Sequence, residues 1–242
     1  MYRDSDPEVR VYGVPQDEHI SHTLRVYALA VLFALVALIQ WIIVGVFLKT
    51  EGLQRMPKDL YGWWLICTFI GISTLAWTAT GRKFPINVLL IATIVEGSSI
   101  YILMEQQHTS GVLPNFYINV IVVALVVGSC FWGAYFPMRL VPGDLLLSLL
   151  VAVANILIIA FFVNSYFIHN MSFYTLVRNY FALVAVSMVM YTATIIHDRQ
   201  FDVPKNEYLF LSVLLFFAYM ILQERILALS LQHYDLGCDS II

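Results

Sequence analysis

The chain has 242 residues, 60% of them hydrophobic and only 12% charged, with a mean hydropathy of +0.80 and a formal net charge of −3. A soluble domain carries roughly 25% charged residues, so this composition excludes a water-solvated globular surface and leaves lipid to cover most of the molecule. The absence of a basic cluster excludes a nucleic-acid footprint, and Cys67, Cys130 and Cys238 lack the paired spacing of a metal site or disulfide framework.

Residues 1–23 are polar and acidic, without the basic start of a cleavable signal peptide. They are expected to form a short cytosolic segment, with the first apolar run acting as both signal and anchor. A spanning helix needs about 20 apolar residues, and a charge at mid-membrane is costly. Residues 26–48 and 60–81 meet this without any charge, whereas 84–104 carries one, Glu96. Further runs at 115–136, 143–163 and 174–197 follow, the last containing Arg178. The final run, 208–231, is interrupted by Glu224-Arg225, which leaves open a re-entrant hairpin instead of a span. Residues 232–242 are read as a short tail. The runs are apolar on every face and too long for barrel strands, and a helix satisfies its backbone internally. The expected fold is an all-α integral membrane protein, a single seven-helix transmembrane bundle over 24–231.

The connectors are short. Asp144 and Glu207 stand where a first helical turn begins, favourable for an acid against the helix dipole. Arg3, Arg10, Arg25, Arg82, Lys83, Arg139, Arg199 and Lys205 fall on one side, against Lys49, Arg55 and Lys58 on the other. Arg178 and Arg225 lie within or beside spans on that second side. This asymmetry predicts a cytoplasmic N-terminus. The sequon Asn170-Met171-Ser172 then lies on the outer side, making Asn170 a candidate glycosylation site.

Glu96 is the deepest acid, about 18 Å along its helix from Phe84 at 1.5 Å per residue. A carboxylate there takes a proton, pairs with a cation or faces water. It is read as a cation or proton site lining a pathway; the blander alternative is a protonated side chain bonded to a neighbouring helix. Arg178, Glu224 and Arg225 lie nearer the outer surface, where long side chains snorkel to headgroups; the sharper reading makes Glu224 or one arginine the partner of Glu96. Gln40, Asn155, Thr192, Thr194 and Gln223 read as interhelical glue. The pairs Ala30-Ala34, Ala124-Gly128 and Ser129-Gly133 read as close helix contacts, and Tyr61, Trp63 and Trp64 as an interfacial belt. No GxSxG elbow, Walker loop or HExxH is present, so neither an enzyme nor a cofactor is expected.

Several segments carry a resemblance. Leu24-Arg25-Val26-Tyr27 opens the first run, and Arg82-Lys83-Phe84-Pro85-Ile86-Asn87 the third. Tyr191-Thr192-Ala193-Thr194 and Asn206-Glu207-Tyr208-Leu209-Phe210 mark the last third. Together with the seven close-set helices, the chain resembles a divergent member of the transmembrane Bax inhibitor / Lifeguard (TMBIM) family. These segments stand for that family's (R/K)-V-Y entry, its basic-P-x-N opening, its Y-D-T-Q and its P-E-E-Y-V-F. The resemblance implies a calcium or proton-coupled cation leak pathway, or a regulator of one, in the ER, Golgi or plasma membrane. It implies partners in the lipid bilayer, calcium ions and apoptosis-related membrane proteins. Thr192 and Ala218 stand where the family carries its two pore aspartates, so the acid-pair gate is absent. The expected pathway residues are therefore Glu96, Thr192, Glu224 and Arg178. A non-conducting membrane scaffold that has lost the aspartate pair is the alternative, and a receptor is a third reading disfavoured by the short loops.

Overall fold

In the computed structural model, residues 16–47, 59–77, 83–106, 112–197 and 208–238 are described. Seven α-helices run through them: α1 (Gln16–Phe47), α2 (Asp59–Trp77), α3 (Ile86–Gln106), α4 (Val112–Tyr135), α5 (Asp144–Val163), α6 (Met171–Ile196) and α7 (Tyr208–Cys238). Six of them hold apolar windows of 20–26 residues, about 30–39 Å at 1.5 Å per residue, enough to cross a hydrocarbon core of about 30 Å. The apolar stretch described in α2, Leu60–Leu75, is shorter, although all 19 residues of α2 reach about 28 Å. This is a multi-pass helical membrane protein. The loop charges Lys49, Arg55, Lys58, Arg82, Arg199 and Lys205, along with Arg3, Arg10 and Glu207, lie outside the described residues.

The last helix is the centre of the bundle. The α7 window is 78% buried, against 17% for those of α1 and α5, and α7 packs against α1, α2, α3, α4 and α6. The hairpin alternative fails here, because α7 is one continuous helix through Glu224-Arg225 and runs on to Cys238. Phe216, Phe217, Met220 and Ile221 of α7 meet a core that includes Phe181, Val184 and Val189 of α6, Leu65 of α2 and Ile102 of α3.

Lipid tails are as apolar as these side chains, so burial alone gives little drive; close packing and interhelical hydrogen bonds hold such a bundle. A Cβ at Gly133 of α4 would collide with the Met190 carbonyl of α6, and one at Gly62 of α2 would lie 2.8 Å from Phe162 of α5. Gly128 meets nothing within 4 Å and Ala124 is exposed, so of the two small-residue pairs on α4 only Ser129-Gly133 makes a close contact. Tyr219 Oη donates to Asn119 Oδ1 at 2.7 Å, joining α7 to α4, and Ser212 Oγ donates to the Val26 carbonyl at 3.0 Å, joining α7 to α1.

The expected aromatic belt is split. Trp63 is half exposed, but Tyr61 and Trp64 are buried. Trp64 stacks on Tyr101 at 4.5 Å between ring centroids, 7° from parallel, and its indole N–H donates to Ser98 Oγ at 3.1 Å. Tyr61 packs among Phe161 of α5, Phe181 of α6 and Tyr101 of α3, so both rings turn into the bundle.

The α5–α6 turn is tight. The end of α5 widens into a π turn at Asn164–Ile168, and His169 takes the left-handed conformation, φ 59°. Buried Asn164 bridges the turn, its amide donating to the Asn170 carbonyl and its oxygen accepting from the Asn170 N–H, both at 3.1 Å. Asn170 in turn caps α6 by accepting from the Ser172 N–H at 2.9 Å. The sequon asparagine is exposed and structural at once.

Candidate functional site

Antiparallel neighbours bring the end of α3, the start of α2, the start of α6 and the later part of α7 to one end of the bundle. Glu105 sits in the last turn of α3. Arg178 lies seven residues into α6, about 10 Å from Met171, and Glu224 six residues before Ser230, about 9 Å from the end of its apolar window. The three side chains therefore meet at one level of the bundle.

Arg178 is the hub. Its Nε lies 3.1 Å from Glu224 Oε1 and its Nη2 lies 3.5 Å from Glu105 Oε1. The guanidinium carbon stands 5.1 Å from the centroid of the Tyr61 ring, within cation–π range. One arginine thus ties together α2, α3, α6 and α7. Glu224 is wholly buried, whereas Arg178 and Glu105 keep 23% and 17% of their side-chain surface open. The cluster has an open rim and a closed floor.

The floor is incompletely satisfied. Neither Glu224 oxygen receives a well-directed hydrogen bond, despite the short ion pair. The Tyr61 hydroxyl, the Arg225 Nε and both ends of the Gln223 amide are also buried without a hydrogen-bond partner. Arg225 is 4% exposed and lies within electrostatic reach of Glu224, Arg178 and Tyr61. When all four are ionised, Glu105, Glu224, Arg178 and Arg225 balance to zero net charge. Spare acceptor capacity on a buried carboxylate, beside an arginine that divides itself between two acids, can take up water, a proton or a small cation; motion of α6 against α3 would shift the arginine between acids.

The sequence-predicted residues are placed as follows. Glu224 and Arg178 are brought together. Both Glu224 and Arg225 are buried rather than snorkelling to headgroups, Glu224 against its ion-pair partner Arg178. Glu96 is not part of this cluster: it is exposed on the outer face of α3, where its Oε2 accepts from Gln40 Nε2 of α1 at 2.8 Å. The partner expected for it in Glu224 or an arginine is therefore Gln40. Thr192 and Ala218 are buried, at 1% and 0% exposure, on α6 and α7. Below the cluster, 184–196 of α6 and 208–222 of α7 contain no acid. Of the expected polar glue, Gln40 bonds across helices, to Glu96; Asn155 and Thr194 return to carbonyls of their own helices.

Glu105 and Tyr101 were not singled out from the sequence, and Tyr61 was read there only as part of an interfacial belt. One signal could have found Glu105, since a third antiparallel helix must end at the level where the sixth begins. Comparison with family models, curated proteins and solved structures gives no match to this chain.

Proposed function

We propose that this is a Bax inhibitor/Lifeguard-like multi-pass membrane protein that passes or regulates calcium or protons, with the Glu224–Arg178–Glu105 cluster as its polar site. The observation that carries the reading is Glu224, a carboxylate with no exposed surface inside a membrane bundle, held 3.1 Å from an arginine of the neighbouring helix. Ionisable groups are expensive there and mark ion or proton pathways by default. Arg178 shared between two acids is a latch: while it holds both, the carboxylates are neutralised and no cation competes well for them. With the N-terminus cytoplasmic, the open rim faces the outer or lumenal side, where calcium or protons would arrive.

A second reading is favoured by the apolar segments of α6 and α7 below the cluster. Thr192 and Ala218 offer a permeating cation no carboxylate there, which suits a non-conducting scaffold that uses the cluster only to lock its helices. Calcium and proton flux into vesicles of defined lipid, measured for the wild-type chain, Glu224→Gln and Glu96→Gln, separates the two. The first reading expects Glu224→Gln to change the flux severalfold and Glu96→Gln to leave it unchanged. Equal flux in all three, or none above empty vesicles at any pH tested, would refute it.

A further inference from the structure

We infer that the chain self-associates in the membrane through the α1–α3 face that carries Glu96 and Gln40. Glu96 lies ten residues, about 15 Å, from Ile86, close to the middle of the apolar window of α3 (Ile86–Glu105). It is exposed on the outside of the bundle, so in a single copy its carboxyl group meets lipid tails. Its contact is one hydrogen bond, from Gln40 Nε2 at 2.8 Å. That bond leaves over one carboxyl oxygen, the second amide hydrogen and the amide oxygen of Gln40. A polar group facing hydrocarbon with unused capacity is costly, and the cost is removed when a second polar surface covers it.

The surroundings suit close approach. Leu89, Ala92, Thr93, Gly97 and Ile100 are exposed on the same side of α3, and a Cβ at Gly97 would meet nothing within 4 Å. A small, flat strip around a polar centre is how membrane helices come near enough to hydrogen-bond.

Complementarity selects the occupant. The arginines of α6 and α7 are turned away from this face: Arg178 is held by Glu224 and Glu105, and Arg225 is buried, 4% exposed. What a second copy presents on its surface is the same acid–amide pair, and that pair is complementary to itself. A carboxyl group and a primary amide can each donate and accept when the acid is protonated. A two-fold axis beside Gly97 sets each Glu96 against the other copy's Gln40, so that every contact is made twice, as in an isologous dimer. The inference does not depend on ion conduction and holds equally for a non-conducting scaffold.

The test uses the full chain in phosphatidylcholine vesicles over a range of protein-to-lipid ratios. Dimer formation is read by energy transfer between donor- and acceptor-labelled copies, for wild type and Glu96→Leu. Disulfide cross-linking is read for Thr93→Cys, with Cys67, Cys130 and Cys238 replaced by serine. Glu96→Leu is expected to lower the association constant by about tenfold or more, the range expected when two interhelical polar contacts are lost. Its melting temperature should stay near that of wild type, because the residue lies outside the bundle core; a Glu96→Gln variant keeps the amide-type pairing and should retain most of the association. Thr93→Cys should cross-link between copies. Wild-type chains that remain monomeric at every ratio, or Glu96→Leu chains that associate as wild type does, would overturn the inference. A Glu96-dependent contact with a different protein carrying a basic transmembrane helix, without self-association, would overturn it as well.

Discussion

Removing Arg178 should cost far more stability than removing the charge of Glu224, although the two form one ion pair. In Arg178→Met the wholly buried Glu224 loses its cation, and an uncompensated buried charge costs about 3–5 kcal/mol. Glu105 loses its partner in the same step, but its carboxylate is partly open and can be solvated. In Glu224→Gln, Arg178 keeps Glu105 and its stacking over Tyr61, so the loss should be that of leaving one buried polar group without its ion-pair partner, about 1–3 kcal/mol. The double variant Arg178→Met/Glu224→Gln removes both buried charges, so it should be more stable than Arg178→Met alone. The coupling energy across this cycle is expected to exceed about 1 kcal/mol. Reversible unfolding in bicelles measures all four species. Should Arg178→Met match the wild type, or should the two single losses simply add in the double variant, the assignment of Arg178 as the hub is wrong.

Two further changes probe how the helices are held. Gly133→Val should shift or destabilise the α4–α6 contact by several kcal/mol, since even a Cβ collides with the Met190 carbonyl, whereas Gly128→Ala meets open space and should stay within about 0.5 kcal/mol of wild type; thermal unfolding in detergent separates them, and equal melting points would contradict the packing. Asn164→Ala removes both hydrogen bonds across the α5–α6 turn and leaves the Asn170 backbone groups without that partner, for an expected loss of about 1–3 kcal/mol together with faster amide exchange at 169–172; unchanged exchange would mean that the turn is held by something else.

Helix number, class and approximate extent were legible in the sequence, because hydrocarbon thickness sets a length and charge exclusion sets the ends. Position along the third and sixth helices was legible too: Glu96 is near the middle of α3 and Arg178 in the first third of α6. What could not be read was direction around each helix. Runs such as those of α3 and α7 are apolar on every face, so no polar side marks the lipid or the core. Glu96 was therefore expected to line a pathway and lies on the outside, while for Glu224 and Arg225 snorkelling to headgroups stood beside an inward reading, and both lie inside. Tyr61 and Trp64 misled for the same reason, since an aromatic at a span's end fits a headgroup belt and a buried stack equally well. Small-residue spacing was likewise ambiguous: Gly133 touches a backbone and Gly128, five residues away, touches nothing.

Glu224 and Glu96 thus face opposite problems, and each solution limits what the chain can do. Glu224 is desolvated on every side and must be balanced from within, which draws an arginine into the bundle and fastens four helices at one level. Glu96 is desolvated by lipid and has only Gln40 to satisfy it, which leaves the remainder of its capacity to whatever lies beside the bundle. The first arrangement can respond to an arriving proton or cation only by loosening Arg178, so any response should appear as relative motion of α3, α6 and α7. The second can respond only to a neighbour, so it should alter assembly and leave the internal cluster intact. Because α3 contributes Glu105 to one site and Glu96 to the other, it is the helix through which a change of assembly could reach the latch.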